Sequence, residues 1–573
     1  MLVLSFPATA ADPLSNPPAA APGPNASELP LAEAERLYLA EIEHRALTLN
    51  KTGFPLFKGA VHDADAARLR QLLAPQFQGR VVDIAEGRGP SNGALSVRRL
   101  RPEMEPATTP PPLSRDAFVQ YLLKLRNKLG SHPVLEMKLV EFAPVDRGKL
   151  DGPWAGTCKF RMTGQSSAGG VAEIFFELGF RLLRVMDADE MTQDKEWIDA
   201  IWVLEAYEAN AAQTLMADVA KERGINIEKL WDNWKQPPAE ASVATGGVFA
   251  SDIDNDGLTD VLVTDLNGVF LYRRTEEGRF LDVTTEAGLP RNQRSISNVA
   301  FADFDNDGWV DLLLQNRLYR NVAGTFDDVT PRSNLNVGNW KYIVGYTVAD
   351  FDNDGRVDLY VARTSGPRSR YTKVTWFDGP GGPGNMLLRN LGGWKFEDVS
   401  EKANARAGRR SVFTTAWLDA NSDGWPDVFV INEFGGGVLL VNQRNGRFSE
   451  RLLSNGPGDF GSMGLAVADI NNDGHVDIYT ANMFSKSGRR IVNNLAPDAY
   501  APDLMAKMKR FFPGSELYQN LGDLQFNPRG KDLCVRNVGW AYGPAFVDLD
   551  NDGFLDIYAT SGFMSVDNQE PDG

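Results

Sequence analysis

The nonapeptide DIDNDGLTD (residues 252–260) decides the reading of this chain, because five variants of it follow. They are DFDNDGWVD (303–311), DFDNDGRVD (350–358), DANSDGWPD (419–427), DINNDGHVD (469–477) and DLDNDGFLD (548–556). Position one is Asp252, Asp303, Asp350, Asp419, Asp469 and Asp548. Position three is Asp254, Asp305, Asp352 and Asp550, with Asn421 and Asn471 in the other two copies. Position five is Asp256, Asp307, Asp354, Asp423, Asp473 and Asp552, and Gly follows it every time. Position nine is Asp260, Asp311, Asp358, Asp427, Asp477 and Asp556. Position seven varies freely, as Leu258, Trp309, Arg356, Trp425, His475 and Phe554.

Closely spaced carboxylates on a tight loop form an oxygen cage for a hard cation, and calcium takes about six to eight oxygens. The sixth-position Gly permits the turn that returns the later ligands. An EF-hand would need flanking helices and a Glu at position twelve. No copy has that Glu, and strand-like runs such as Leu312–Leu314 and Val428–Ile431 follow instead. Asp at position nine therefore closes the cage, and position seven contributes its backbone carbonyl. Asn-Asp-Gly also favours simple hairpin turns. Six copies argue against turns alone, since clustered carboxylates repel one another without a cation. About six calcium sites are expected.

The first Asp residues are spaced by 51, 47, 69, 50 and 79. Between copies a second signature recurs, as in Leu318-Tyr319-Arg320-Asn321 before Gly324-Thr325-Phe326, and Leu387-Leu388-Arg389-Asn390 before Trp394-Lys395-Phe396. Asp-Val-Thr or Asp-Val-Ser follows at 282–284, 328–330 and 398–400. Each unit reads strand, cation loop, strand, strand, turn, strand. Four strands in about 45–50 residues make a propeller blade. The fold class expected is mainly β, a calcium-binding β-propeller of about six visible blades, the last incomplete, after a smaller α+β domain.

The pattern over residues 243–566 resembles the FG-GAP, or VCBS, repeats of the integrin alpha-like propeller. With its Leu-Tyr-Arg-Asn strands it is most similar to the cartilage acidic protein and ASPIC/UnbV family. That resemblance implies calcium on one face and a role in cell adhesion or ligand recognition. Family propellers have seven blades, followed by an ASPIC/UnbV segment. Five complete units and two strands of a sixth are visible here, so the expectation is a C-terminally truncated chain or a ring closed by self-association.

The chain has 573 residues, with 59 Lys plus Arg against 76 Asp plus Glu. A net charge of −17 repels phosphate backbones and speaks against nucleic acid as a partner. Its two cysteines, Cys158 and Cys534, allow neither a disulfide-dense scaffold nor a four-thiolate zinc site. No apolar run is long enough to span a membrane. Residues 1–30 read as a signal remnant, MLVLSFPATAA, followed by a disordered linker rich in Pro and Ala.

Residues 31–235 lack the repeat and read as an α+β domain, with the propeller at 236–573. Ser114 can cap a helix whose Phe118, Leu122, Leu125 and Leu129 share one face, ended by Gly130. Ala66, Leu69 and Leu73 mark an earlier helix after Asp63. Strict alternation at 135–139 and 157–162 predicts strands, and Glu173–Val185 and Trp197–Tyr207 read as longer ones. Helices before a long antiparallel sheet resemble the cone-shaped SnoaL-like folds. Within the propeller, Asp503–Phe512 is expected to be a short helix packed on a blade. Gly379–Gly384 lacks the Lys-Ser/Thr ending of a phosphate loop and reads as a surface loop.

His44, His62, His132 and His475 are the only histidines, none at H-E-x-x-H spacing, and no G-x-S-x-G elbow occurs. The expectation is therefore a non-enzyme: a calcium-stabilised propeller, secreted, periplasmic or at the cell surface, that binds a protein or glycan. The alternatives are a small-molecule pocket or enzyme in the N-terminal domain, and a structural subunit of a larger assembly.

Overall fold

Each acidic nonapeptide is the turn of a β-hairpin, with its ninth residue opening the second strand. The structure is a computed structural model. It describes residues 32–561 apart from intervals of which the longest are 101–111, 236–245 and 365–381. The expectations for residues 1–30 and for Gly379–Gly381 lie outside the described residues. The chain divides into two units. One joins the N-terminal part, to Ala217, with Ser485–Lys509; the other takes Asp218–Phe484 and the chain from Arg510.

The repeat unit is mainly β and holds five four-stranded antiparallel sheets. Sheet I pairs Gly247–Ser251, Asp260–Thr264, Val269–Arg274 and Phe280–Asp282 in sequence order. Sheet II does the same with Val299–Ala302, Asp311–Leu314, Arg317–Val322 and Thr325–Asp328. Sheet III uses Ile343–Ala349, Asp358–Arg363, Met386–Gly392 and Lys395–Asp398. Sheet IV uses Ser411–Leu418, Asp427–Phe434, Val438–Asn442 and Phe448–Leu452. Sheet V uses Ser462–Ala468, Asp477–Asn482, Glu516–Asn520 and Phe526–Pro528. Sheet VI pairs Ala541–Val547 with Asp556–Ser561.

The second strands are apolar on both faces because a neighbouring sheet covers each face. Leu312 and Leu314 join a core with Leu262 and Leu271 of sheet I, while Leu313 joins Leu359 and Val361 of sheet III. All three leucines of this second strand are fully buried. The recurring Asp-Val-Thr/Ser ties strand three to its exit: Thr284 Oγ1 accepts the Leu271 N–H at 2.8 Å, and Ser400 Oγ that of Leu387 at 2.9 Å. In sheet VI, Leu549 and Phe554 are exposed, whereas the matching second loop position is buried in the first four copies.

In the other unit, six strands form one sheet: β1 (Leu73–Arg80), β2 (Leu95–Leu100), β3 (Val134–Pro144), β4 (Trp154–Gln165), β5 (Val171–Leu182) and β6 (Ile198–Ala211). Their order is β1-β6-β5-β4-β3, with β2 also on β6. The sheet is mixed, not wholly antiparallel as the sequence suggested, because β1 runs parallel to β6. Alternation along β4 buries Trp154, Cys158, Phe160 and Met162 under the helices. Burial pushes the Cys158 thiol pKa up, so it is a packing residue. Ser114 caps the helix Arg115–Arg126 as expected. The earlier helix expected after Asp63 runs over Ala66–Leu72, capped by Asp65, and Leu73 already belongs to β1.

The excursion between the second and third strands of sheet V corrects another expectation. Helix Lys486–Asn494 packs on β3, and the stretch to Lys509, with most of helix Pro502–Arg510, groups with the N-terminal unit, not with a blade. Its anchors are polar. Arg490, 5% exposed, sets Nε 3.1 Å and Nη2 2.8 Å from the two Glu43 carboxylate oxygens, and Asn494 donates to Phe142 O at 2.8 Å. Glu43 is partly solvated, so Arg490→Ala should cost about 1–3 kcal/mol. Proteolysis between Ser485 and Lys509 should then accelerate; unchanged cleavage would show that the pair does not hold this segment.

Candidate metal centre

Six loops share one backbone conformation. Position four has positive φ in every copy (Asn255 54°, Asn306 59°, Asn353 53°, Ser422 56°, Asn472 58°, Asn551 58°), and the position-six glycines lie between 82° and 87°. Asn and Gly tolerate this left-handed region best, which is why Asn-Asp-Gly recurs. Position one braces the loop from inside: Asp303 accepts the Asp307 N–H at 3.1 Å and the Gly308 N–H at 2.8 Å. Position five accepts the position-seven N–H, as Asp307 does from Trp309 at 3.0 Å. Position nine reaches back and across. Asp311 accepts from Phe304 N at 2.9 Å and from Asn321 N on the third strand at 2.9 Å.

These bonds converge the carboxylates predicted as ligands. Asp252, Asp254 and Asp260 place one oxygen each within 4.8 Å of one another. The same holds for Asp303, Asp305 and Asp311; Asp350, Asp352 and Asp358; and Asp548, Asp550 and Asp556. The position-five carboxylates stand outside these groups. In the two Asn copies, the amide nitrogens of Asn421 and Asn471 donate to Asp423 and Asp473 at 3.0 and 2.9 Å; Asn421 Oδ1 is left unpartnered, while Asn471 Oδ1 accepts the Asp473 N–H at 3.2 Å. Position-seven side chains share no role: Arg356 donates to Asn390 O, His475 meets Ser422 Oγ, and Phe554 is exposed.

A cation fits this donor set on two grounds. Oδ1 of Asp254, Asp305, Asp352 and Asn421 is buried with no hydrogen-bond partner, a costly arrangement for an oxygen unless a positive charge faces it. Burial also pushes the position-nine carboxyls up, to about 7 for Asp311 and Asp358 and to about 6 for Asp427, against two backbone N–H groups that favour ionisation. A dication would restore the ionised form.

Two residue sets that the sequence reading did not assign lace the loops together. Position-four Asn donates to the position-six carbonyl of the next loop: Asn255 to Gly308 at 2.9 Å, Asn306 to Gly355 at 2.7 Å, Asn353 to Gly424 at 3.3 Å and Asn472 to Gly553 at 2.9 Å. The third-strand Asn, buried in each case, reaches the other way. Asn390 donates to Phe304 O of the preceding loop at 2.8 Å and to Val357 O of its own at 3.1 Å. Asn321, Asn442 and Asn520 repeat this on Ile253, Phe351 and Ala420. The signal was present as the Asn of Leu-Tyr-Arg-Asn, but a strand signature alone does not show which carbonyl it meets.

The FG-GAP-like repeat family matches residues 252–314 and 419–480, which contain four of the six loops. Cartilage acidic protein 1 of Xenopus tropicalis is 26% identical over 262 residues, covering 41% of this chain and 40% of that protein. The Mus musculus protein gives 26% over 263 residues with the same coverage. The matched part of the chain thus spans two fifths of these relatives' length. Among solved structures, an Agrocybe aegerita lectin that recognises non-reducing terminal N-acetylglucosamine overlaps 70% of this chain and 80% of its own, at 15% identity and a TM-score of 0.32. The V. cholerae biofilm matrix protein Bap1 overlaps 42% and 35%, at 16% identity and a TM-score of 0.25. Superpositions at that level carry no argument about fold. The repeats themselves are what the comparisons show: the chain carries FG-GAP-like repeats and is weakly similar, at 26% identity, to cartilage acidic protein 1.

Proposed function

We propose that the six loops bind calcium, that sheets I–VI are blades of a β-propeller, and that this propeller is a non-catalytic binding module for a protein or glycan outside the cytoplasm. The observation that carries it is the buried, unpartnered third-position oxygen recurring in four loops. The first strands of sheets II to VI lie side by side in sequence order, as blades around a common centre would. Positions one, three and nine supply carboxylate or amide oxygens, position five a further carboxylate and position seven its carbonyl. Sites of this kind fill at extracellular calcium and stay empty at cytosolic levels, which supports the location. Among the described residues no helix is long and apolar enough to cross a membrane.

The test is calcium per chain after equilibrium dialysis, followed by screening of glycans and extracellular-matrix proteins with and without chelator. About six ions and calcium-dependent binding are expected; fewer than two ions would overturn the reading. Proton release gives a second check. Asp311 and Asp358, held at about 7 by burial, are largely protonated at pH 6, and a dication favours their ionised form. Calcium should therefore displace protons at pH 6 and almost none at pH 8.5. Calorimetry in two buffers of different ionisation enthalpy reads this, and equal heats at pH 6 would remove position nine from the ligand set.

A further inference from the structure

The third-strand arginines divide the loops into two kinds. Arg320 places Nε 2.9 Å from Asp305 Oδ2 and donates from Nη2 to Asp307 Oδ2 at 2.6 Å. Arg389 repeats this one sheet on, with Nε 2.6 Å from Asp352 Oδ2 and Nη2 3.0 Å from Asp354 Oδ2. Each guanidinium bridges positions three and five by their outer oxygens, while Oδ1 of Asp305 and Asp352 stays buried and unpartnered. In sheet I the contact is looser, Arg273 lying 3.9 Å from Asp254. In sheet IV this place is Val441, and Arg444, in the turn beyond the third strand, reaches only Asp423. Sheet V has Gln519 at this place, turned away to accept from Arg529 at 2.8 Å. Among the described residues no arginine pairs with Asp469, Asp473 or Asp477.

Resting on the calcium reading above, we propose that Arg320 and Arg389 are positioning residues that act as built-in counter-cations, keeping loops 303–311 and 350–358 ordered without calcium and lowering their calcium affinity relative to loop 469–477. The clamped loops each hold four mutually repelling carboxylates when empty, one more than loop 469–477, where Asn471 takes the third position, and a fixed guanidinium offsets part of that repulsion. When a dication enters, the same guanidinium is a like charge a few ångströms away and opposes it. One residue thus stabilises the empty state and weakens the filled one. The loops would then release calcium in sequence as its concentration falls, the clamped pair emptying first while keeping their shape.

The experiment is hydrogen exchange of the full chain across a series of calcium buffers, read on peptides covering 303–311, 350–358 and 469–477. The amides of Asp307, Gly308 and Trp309, bonded to loop carboxylates, report directly. In chelator the two clamped loops should stay protected while 469–477 exchanges, and their calcium midpoints should lie above its own. Arg320→Gln should abolish the chelator protection of 303–311 and lower its midpoint about three- to tenfold, with 350–358 unmoved. Arg320→Lys, which keeps the charge, should recover much of both. A merely structural arginine would lose protection in calcium as well and raise the midpoint, and that outcome overturns the proposal. So do three loops that respond alike. If no loop responds to calcium at all, the calcium reading fails first, a result distinct from either.

Discussion

Removal of calcium should lower the thermal midpoint of the repeat unit by roughly 15–30 °C. With a dissociation constant near 0.1 mM and calcium at ~1 mM, each site contributes about 1.4 kcal/mol. Six independent sites give about 8 kcal/mol, comparable with the ~5–15 kcal/mol of a whole domain. At about 2–4 °C per kcal/mol for a unit of this size, that is the shift stated. The sum neglects calcium bound by the unfolded chain and is an upper estimate. The physical source is the loop itself: in four copies three carboxylate oxygens sit within 4.8 Å of one another, and the ninth-position Asp is buried in the first five. Scanning calorimetry in calcium and in chelator measures it. Superimposable traces would mean that the loops are turns held by Asp-to-backbone bonds alone.

Asn390→Ala should cost about 3–5 kcal/mol, a large loss for a residue outside the ligand positions. Asn390 is fully buried, and its amide holds Phe304 O of the preceding loop and Val357 O of its own, while Oδ1 accepts the Gly392 N–H at 2.9 Å. Alanine leaves these groups inside without partners, and each costs about 1–3 kcal/mol. The contrast is Asn255→Ala, which removes one exposed bond to Gly308 O and should cost under about 1 kcal/mol. Thermal midpoints of both variants in saturating calcium decide the matter. Equal shifts would show that the buried Asn does not tie neighbouring sheets.

The repeat unit was legible because the information lies within short segments. Nine residues carry the hairpin turn, its ligands and its glycine, and the apolar runs after them carry the strand. In the other unit, β3 and β4 were legible from strict alternation, and β5 and β6 as longer strands. Helix Glu33–Thr48 was not, since it buries only Leu39, Ile42 and Ala46 and shows little apolar periodicity. Strand β1 was hidden because it is short and its partner β6 lies more than a hundred residues away. Helix Lys486–Asn494 escaped for a different reason: two of its three buried residues, Arg490 and Asn494, are polar, and a search for apolar spacing does not see polar anchors.

By itself the sequence determined the loop. A left-handed Asn or Ser, an Asp turn and a Gly at fixed spacing impose one backbone path through sterics and bonds that close within the same nine residues. Tertiary structure alone decided what joins one loop to the next: Asn390 finds Phe304 O of the preceding loop, and Asn306 finds Gly355 O of the following one. Those contacts link residues 35 or more positions apart, and their geometry follows from how whole sheets pack, which no local pattern encodes.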